Sequence, residues 1–116
     1  MEMTSEQVHG ATVLQLTGRF DAYAAPDIEN FFQKMNTDPI PRVVVNLTNV
    51  NFIDSTGLAT LVIGMKRCRQ RQGALVLCGV QQAVRIIFEL TSLDKILTMT
   101  STQAEAVAKV QMQQKG

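Results

Sequence analysis

The feature that most constrains this chain is the alternation of apolar, β-branched runs with segments of helical periodicity. Val43-Val44-Val45, followed by Asn46 and Leu47, and later Leu75-Val76-Leu77-Cys78, are apolar on successive residues, the pattern of strands buried on both faces. Between them Leu58, Leu61, Val62 and Met65, supplemented by Ala59 and Ile63, recur at the spacing of one helix face. Two buried strands joined through a helix imply a crossover, and crossovers join parallel strands. The chain therefore reads as an α/β fold.

The flanking segments extend this pattern. Residues 3–8 and 12–17 are expected to form two strands around His9-Gly10, with Leu14 and Leu16 on one face and Val13 and Gln15 on the other. Gly18 marks an end or a bulge. Pro26 suits the first turn of a helix whose apolar face is Ile28, Phe31, Phe32 and Met35, and Pro39 and Pro41 prevent that helix from continuing. Residues 48–54 are expected to return the chain to the surface before a second helix that begins near Ser55 and ends at Gly73. Val84, Ile87 and Phe88 mark a third helix after the Gly79-Val80 connection, and Ile96-Leu97-Thr98-Met99 a last short strand. Thr102 followed by Glu105 is a capping-box pattern opening a terminal helix to about Gln113, with Ala104, Val107 and Ala108 as its thin apolar stripe. The predicted order is β-β-α-β-α-β-α-β-α in one domain spanning residues 1–116, with a mixed, mainly parallel sheet.

Composition narrows the chemistry. The chain has 116 residues and a formal net charge of +1, so as a whole it makes no strong electrostatic claim on nucleic acid or anionic lipid. Charge is nevertheless uneven. Residues 2–64 hold 7 acidic and 3 basic side chains, and residues 65–116 hold 3 acidic and 8 basic. Four of those eight are Lys66, Arg67, Arg69 and Arg71, which read as a solvated helix end complementing the helix dipole. No aromatic ladder accompanies them, so direct nucleic-acid binding is not expected. Cys68 and Cys78 form no CxxC unit, and His9 is the only histidine, so neither a disulfide framework, nor a metal site, nor a bound cofactor is expected. No apolar run approaches the roughly 20 residues of a membrane span, and the start lacks a signal-peptide pattern. The expected setting is the cytoplasm, without membrane insertion.

The chemistry concentrates in Asp54-Ser55-Thr56-Gly57-Leu58, where a strand gives way to a helix on the rim that carries sites in α/β domains. Ser55 reads either as the helix N-cap or as a phosphoacceptor whose added charge the helix amino terminus tolerates. Gly57 would let another molecule approach the turn closely. Asp54 turns the backbone or orients the serine hydroxyl. A phospho-aspartate receiver would need further carboxylates near the end of an early strand, where this chain has Thr17-Gly18-Arg19 and a lone Asp21. No GxSxG elbow or phosphate-binding glycine loop is present, which argues against an enzyme. Phe20 and Tyr23 flank Asp21 and are placed either to line this rim or to staple the next helix to the core.

Three stretches carry a resemblance to a known family. Leu16-Thr17-Gly18-Arg19-Phe20-Asp21 with Ala25-Pro26, then Val44-Val45-Asn46-Leu47-Thr48-Asn49-Val50, and above all Phe52-Ile53-Asp54-Ser55-Thr56-Gly57-Leu58 resemble STAS domains of the bacterial anti-sigma factor antagonist type, over roughly residues 5–112. The resemblance implies a sheet with helices largely on one side. It implies a non-enzymatic switch that binds an anti-sigma factor, itself a GHKL-type serine kinase, and that is inactivated by phosphorylation and restored by a PP2C-type phosphatase. Ser55 becomes the expected acceptor and Thr56 a secondary one. Asp21, Tyr23, Asp54, Ser55, Thr56, Gly57 and Leu58 become the expected partner-binding set. The same family includes scaffold and accessory domains, so constitutive protein binding with another output is the alternative.

Overall fold

The computed structural model describes residues 1–35 and 39–112. Two antiparallel strands open the fold, β1 (Glu2–Val8) and β2 (Ala11–Phe20), paired without interruption from Glu2 opposite Thr17 to Val8 opposite Ala11. His9 and Gly10 between them both have positive φ, 51° and 84°. This is the two-residue turn whose twist matches that of the flanking strands.

Then follow α1 (Ala25–Lys34), β3 (Arg42–Ile53), α2 (Ser55–Gln70), β4 (Ala74–Cys78), α3 (Gln82–Leu90), a 3-10 turn at Leu93–Lys95, β5 (Thr98–Thr100) and α4 (Gln103–Met112). The sheet order is β1-β2-β3-β4-β5, antiparallel at the first pair and parallel thereafter. The expected element order and mixed sheet are therefore observed. The terminal helix is described to Met112, and its expected end at Gln113 lies outside the described residues.

Two strands run further than their composition suggests. β2 continues to Phe20, with register shifts against β3 at Gln15/Thr17 and at Gly18/Arg19, so Gly18 (φ 113°) marks a bulge within a longer strand. β3 does not leave the sheet at residue 48. It parts from β4 after Asn46 but stays paired with β2 to Ile53. Thr48, Asn49 and Asn51 face water while Val50 and Ile53 are buried, so this stretch is a half-solvated ribbon. At the other edge, β5 starts at Thr98 because Ile96 closes the 3-10 turn.

Side-chain alternation divides the interior into two cores. Leu14, Leu16, Val43, Val45, Leu75 and Leu77 face α1, α2 and α3, against Ile28, Phe32, Leu61, Met65, Val84 and Phe88. Ala11, Val13, Val44, Val76 and Cys78 face the opposite way, under Ala106, Val107 and Val110 of α4. Three helices thus cover one face and one covers the other. The capping box of α4 forms as expected: Thr102 N–H donates to Glu105 Oε1 (3.1 Å) and Glu105 N–H to Thr102 Oγ1 (3.2 Å). Ala104 and Ala108, however, point to solvent, and the buried stripe is Ala106, Val107 and Val110.

In α2 the buried face is also turned from the expected one. Leu58, Leu61 and Met65 are buried, but Ala59 and Ile63 are exposed, and Thr60, Gly64 and Cys68 take the inward positions. The cause is close packing against α1. A Cβ at residue 64 would stand 2.5 Å from Cε2 of the Phe32 ring, so the ring fits only over a glycine.

Candidate functional site

β2 and β3 end side by side, with Phe20 opposite Ile53. Beyond them the chain continues from β2 into the loop preceding α1, and from β3 directly into α2. Asp54 stands at this fork with an extended backbone (φ −109°, ψ −176°). Its N–H donates to the Phe20 carbonyl (3.2 Å), continuing the ribbon by one bond. One oxygen of its carboxylate accepts from the Gly57 N–H (2.9 Å) and the other from the Ala22 N–H (3.1 Å).

The helix cap is therefore Asp54, not Ser55. A cap residue keeps a non-helical backbone so that its side chain can turn back to an N–H of the first turn. Ser55 is already the first residue of the helix and its hydroxyl is not spent on capping. Ser55 and Thr56 are both exposed. The Thr56 carbonyl accepts from the Thr60 hydroxyl (2.9 Å).

Gly57 serves a different purpose from the one expected. A Cβ there would lie 2.5 Å from the Phe20 carbonyl oxygen and 2.8 Å from Ile53 Cγ1, so the space beside it is filled by the ends of β2 and β3 and not by another molecule. Leu58 lies in the main core. Gly57 and Leu58 therefore sit beneath the rim and hold its shape, while Ser55, Thr56 and Tyr23 project from it.

Asp21 organises the neighbouring loop. Its Oδ1 accepts from the N–H groups of Tyr23 (3.1 Å) and Ala24 (3.2 Å), and its carbonyl accepts from those of Ala24 (3.1 Å) and Ala25 (2.9 Å). Of the two flanking aromatics, Phe20 is fully buried and is the staple, whereas Tyr23 is 94% exposed. Arg19, whose Nε lies 3.8 Å from Asp21 Oδ2, places its guanidinium 3.8 Å from the centroid of the Phe52 ring. Sequence reasoning missed this stack and the Asp54 to Ala22 bond, because both depend on β3 reaching Ile53 beside β2.

The amino end of α2 carries the positive pole of its dipole, and its first turn holds no acidic side chain beyond the cap. The basic residues Arg67 and Arg69 lie in its last turn, roughly 20 Å away at 1.5 Å per residue. Burial pushes the Cys68 thiol up to about 12 and the Cys78 thiol up to about 11, so neither is a ready nucleophile. Among the described residues no group of three or more His, Cys, Asp or Glu is placed to hold a metal ion, and no helix is long and apolar enough to cross a membrane.

These features define a small α/β domain with a mixed five-stranded sheet that presents two hydroxyl side chains and an exposed tyrosine at one strand–helix rim. Residues 2–106 match the STAS domain family, and the chain belongs to that family. An anti-sigma-B factor antagonist of Listeria monocytogenes is 33% identical over 90 residues, which cover 78% of this chain and 79% of the relative. An anti-sigma factor antagonist of Mycobacterium paratuberculosis superposes with a TM-score of 0.84 at 25% identity, covering 95% of this chain and 93% of the other. The phosphorylated form of the Bacillus cell fate determinant SpoIIAA superposes with a TM-score of 0.72 at 20% identity, over 94% and 99% of the two chains, a likeness of fold.

Proposed function

We propose that this chain is an anti-sigma factor antagonist, a cytoplasmic binding protein without catalytic activity of its own, switched by phosphorylation of Ser55. The observation that carries this reading is that Ser55 opens α2 with an exposed hydroxyl while the neighbouring Asp54 does the capping. The acceptor is therefore free to be modified without dismantling the helix start. Kinship with proteins named as anti-sigma-B factor antagonists supports an anti-sigma factor as the partner class. In the proposed circuit that partner is a GHKL-type serine kinase, and a PP2C-type phosphatase reverses the modification.

The physical basis of the switch is charge at a docking rim. A phosphoryl group adds about −1.5 to −2 charges at pH 7. The α2 amino terminus favours an anion, so the domain stays folded. A partner fitted to a neutral hydroxyl next to the Asp54 carboxylate meets concentrated negative charge, and docking weakens. Tyr23 and Thr56 complete the contact surface, Asp21 and Asp54 set its shape, and Gly57 and Leu58 support it from below.

The test is incubation with the purified kinase and ATP, followed by intact-mass measurement, peptide mapping and binding before and after modification. One added phosphoryl group on Ser55 and a weaker complex are expected. Phosphate mapped elsewhere, or a complex whose affinity does not change on modification, overturns the reading.

A further inference from the structure

Arg19 stands outside the contact surface assigned above, yet the fold brings this cation to the same rim. Residues 2–64 hold 3 basic side chains, Arg19, Lys34 and Arg42. Lys34 ends α1 and Arg42 begins β3, so both lie toward the end of the sheet away from Ser55. Arg19 lies opposite Phe52 in the parallel pair, one residue before Phe20, whose carbonyl takes the Asp54 N–H.

The side chain is held in place although it is 61% exposed. The Phe52 ring lies 3.8 Å from the guanidinium, and Asp21 Oδ2 stands 3.8 Å from Nε. A free arginine samples many rotamers, and a docking partner must ordinarily freeze them. Here the ring and the carboxylate restrict them beforehand. One face of the guanidinium and its Nε side are occupied in this way, while among the described residues nothing hydrogen-bonds its two terminal nitrogens.

That geometry suits a planar monoanion. Parallel N–H groups of a guanidinium meet the two oxygens of a carboxylate as a fork. A phosphate dianion is held instead by several cations or by converging backbone N–H groups. Here a single guanidinium stands beside the Asp21 carboxylate, which repels a dianion more strongly than a monoanion. We infer that Arg19 is a specificity-determining residue that seats an Asp or Glu carboxylate of the anti-sigma factor, beside the partly exposed Phe52 ring. This rests on the reading of the chain as an anti-sigma factor antagonist and adds the chemistry of what it docks. It also gives the switch a target. A carboxylate drawn to Arg19 approaches the joined ends of β2 and β3, where a phosphoryl group on Ser55 repels it.

The test is association of the purified anti-sigma factor with the parent chain, Arg19→Gln, Arg19→Lys and Arg19→Glu, without nucleotide and with ATP. On-rate and Kd are read at about 50 mM and about 300 mM salt, on either side of the range where exposed charges become screened. At the lower salt Arg19→Gln should bind about tenfold more weakly, chiefly through a slower on-rate, and lose much of the parent's salt dependence. A residue that only supported the fold would leave that salt dependence unchanged. Arg19→Lys keeps the charge without the fork and should recover part of the loss. Arg19→Glu sets carboxylate against carboxylate and should bind about a hundredfold more weakly. If the parent forms no complex, the antagonist reading fails and this inference with it. If the parent binds and Arg19→Gln binds as tightly with the same salt dependence, this inference alone fails. It fails too if Arg19→Glu binds more tightly than the parent, which places a cation opposite. A loss in Arg19→Gln seen only with ATP present overturns it as well, by assigning the contact to nucleotide phosphate.

Discussion

The carboxylate of Asp54 accepts a hydrogen bond at 3.1 Å from the backbone N–H of Ala22, 32 residues earlier in the chain, while its other oxygen caps α2. One side chain thereby locks the loop that presents Tyr23 to the helix that presents Ser55. The relative placement of the two exposed groups rests on it.

Removing that carboxylate should act on both elements. Asp54→Ala is expected to cost about 1–2 kcal/mol, the usual loss for an N-cap, whereas Asp54→Asn keeps an oxygen for the Gly57 N–H and should cost less. Urea unfolding measures the difference. Hydrogen exchange should show the Ala22 amide losing protection in Asp54→Ala.

Ser55→Ala should behave differently, because the hydroxyl does not cap the helix. Its stability is expected within about 0.5 kcal/mol of the parent by the same urea titration. Binding to the proposed kinase partner should persist and phosphate transfer should cease. Ser55→Asp should weaken binding about tenfold or more in calorimetry, about 1.4 kcal/mol. A cost above about 1 kcal/mol for Ser55→Ala would show that the hydroxyl supports the helix after all.

Gly57→Ala should destabilise by about 1–3 kcal/mol, since the added methyl meets the Phe20 carbonyl at 2.5 Å and the ends of β2 and β3 must shift. Thermal unfolding reads the cost. Weaker partner binding should accompany it although Gly57 itself is buried, because the rim above it moves.

The buried thiols predict an alkaline limit to stability. Each thiol titrates near 9.0 when unfolded, and near 12 (Cys68) or 11 (Cys78) when folded. Between these values the native state holds protons that the unfolded chain has released, so stability falls as pH rises. The thiols' contribution is fully present below about pH 9 and is lost progressively up to the folded values. Melting temperature should decline from pH 8.5 to 10.5, and Cys78→Ala should flatten the slope. An equal slope in that variant assigns the decline to other groups.

Much of the fold was legible from side-chain periodicity, because the doubly buried runs at residues 43–47 and 75–78 allow few arrangements. Less legible was anything set by close approach. α2 turns its glycine and threonine inward and leaves Ile63 outside because Gly64 accommodates Phe32, a steric fact that hydrophobicity does not express. The same limit hid the cap. Asp54 and Ser55 are both good cap residues in succession, and the extended backbone at Asp54, imposed by β3 running on to Ile53, decides between them. That extension was itself obscured by Thr48, Asn49 and Asn51, which look like loop but alternate with buried Val50 and Ile53. The position of Ser55 was readable from the strand–helix junction, and its exposure was not.

The division of the interior by the sheet makes α4 a convenient handle. Its core is built from alanine, valine and Cys78 on the side away from α1, α2 and α3, and its outer surface includes the exposed Ala108. A dye or surface tether introduced as Ala108→Cys would be separated from the Ser55 rim by the sheet, and buried Cys68 and Cys78 would leave it the accessible thiol among the described residues. Immobilised this way, the domain can meet soluble partners with its rim unobstructed, and a signal from the label would report association without touching the contact itself.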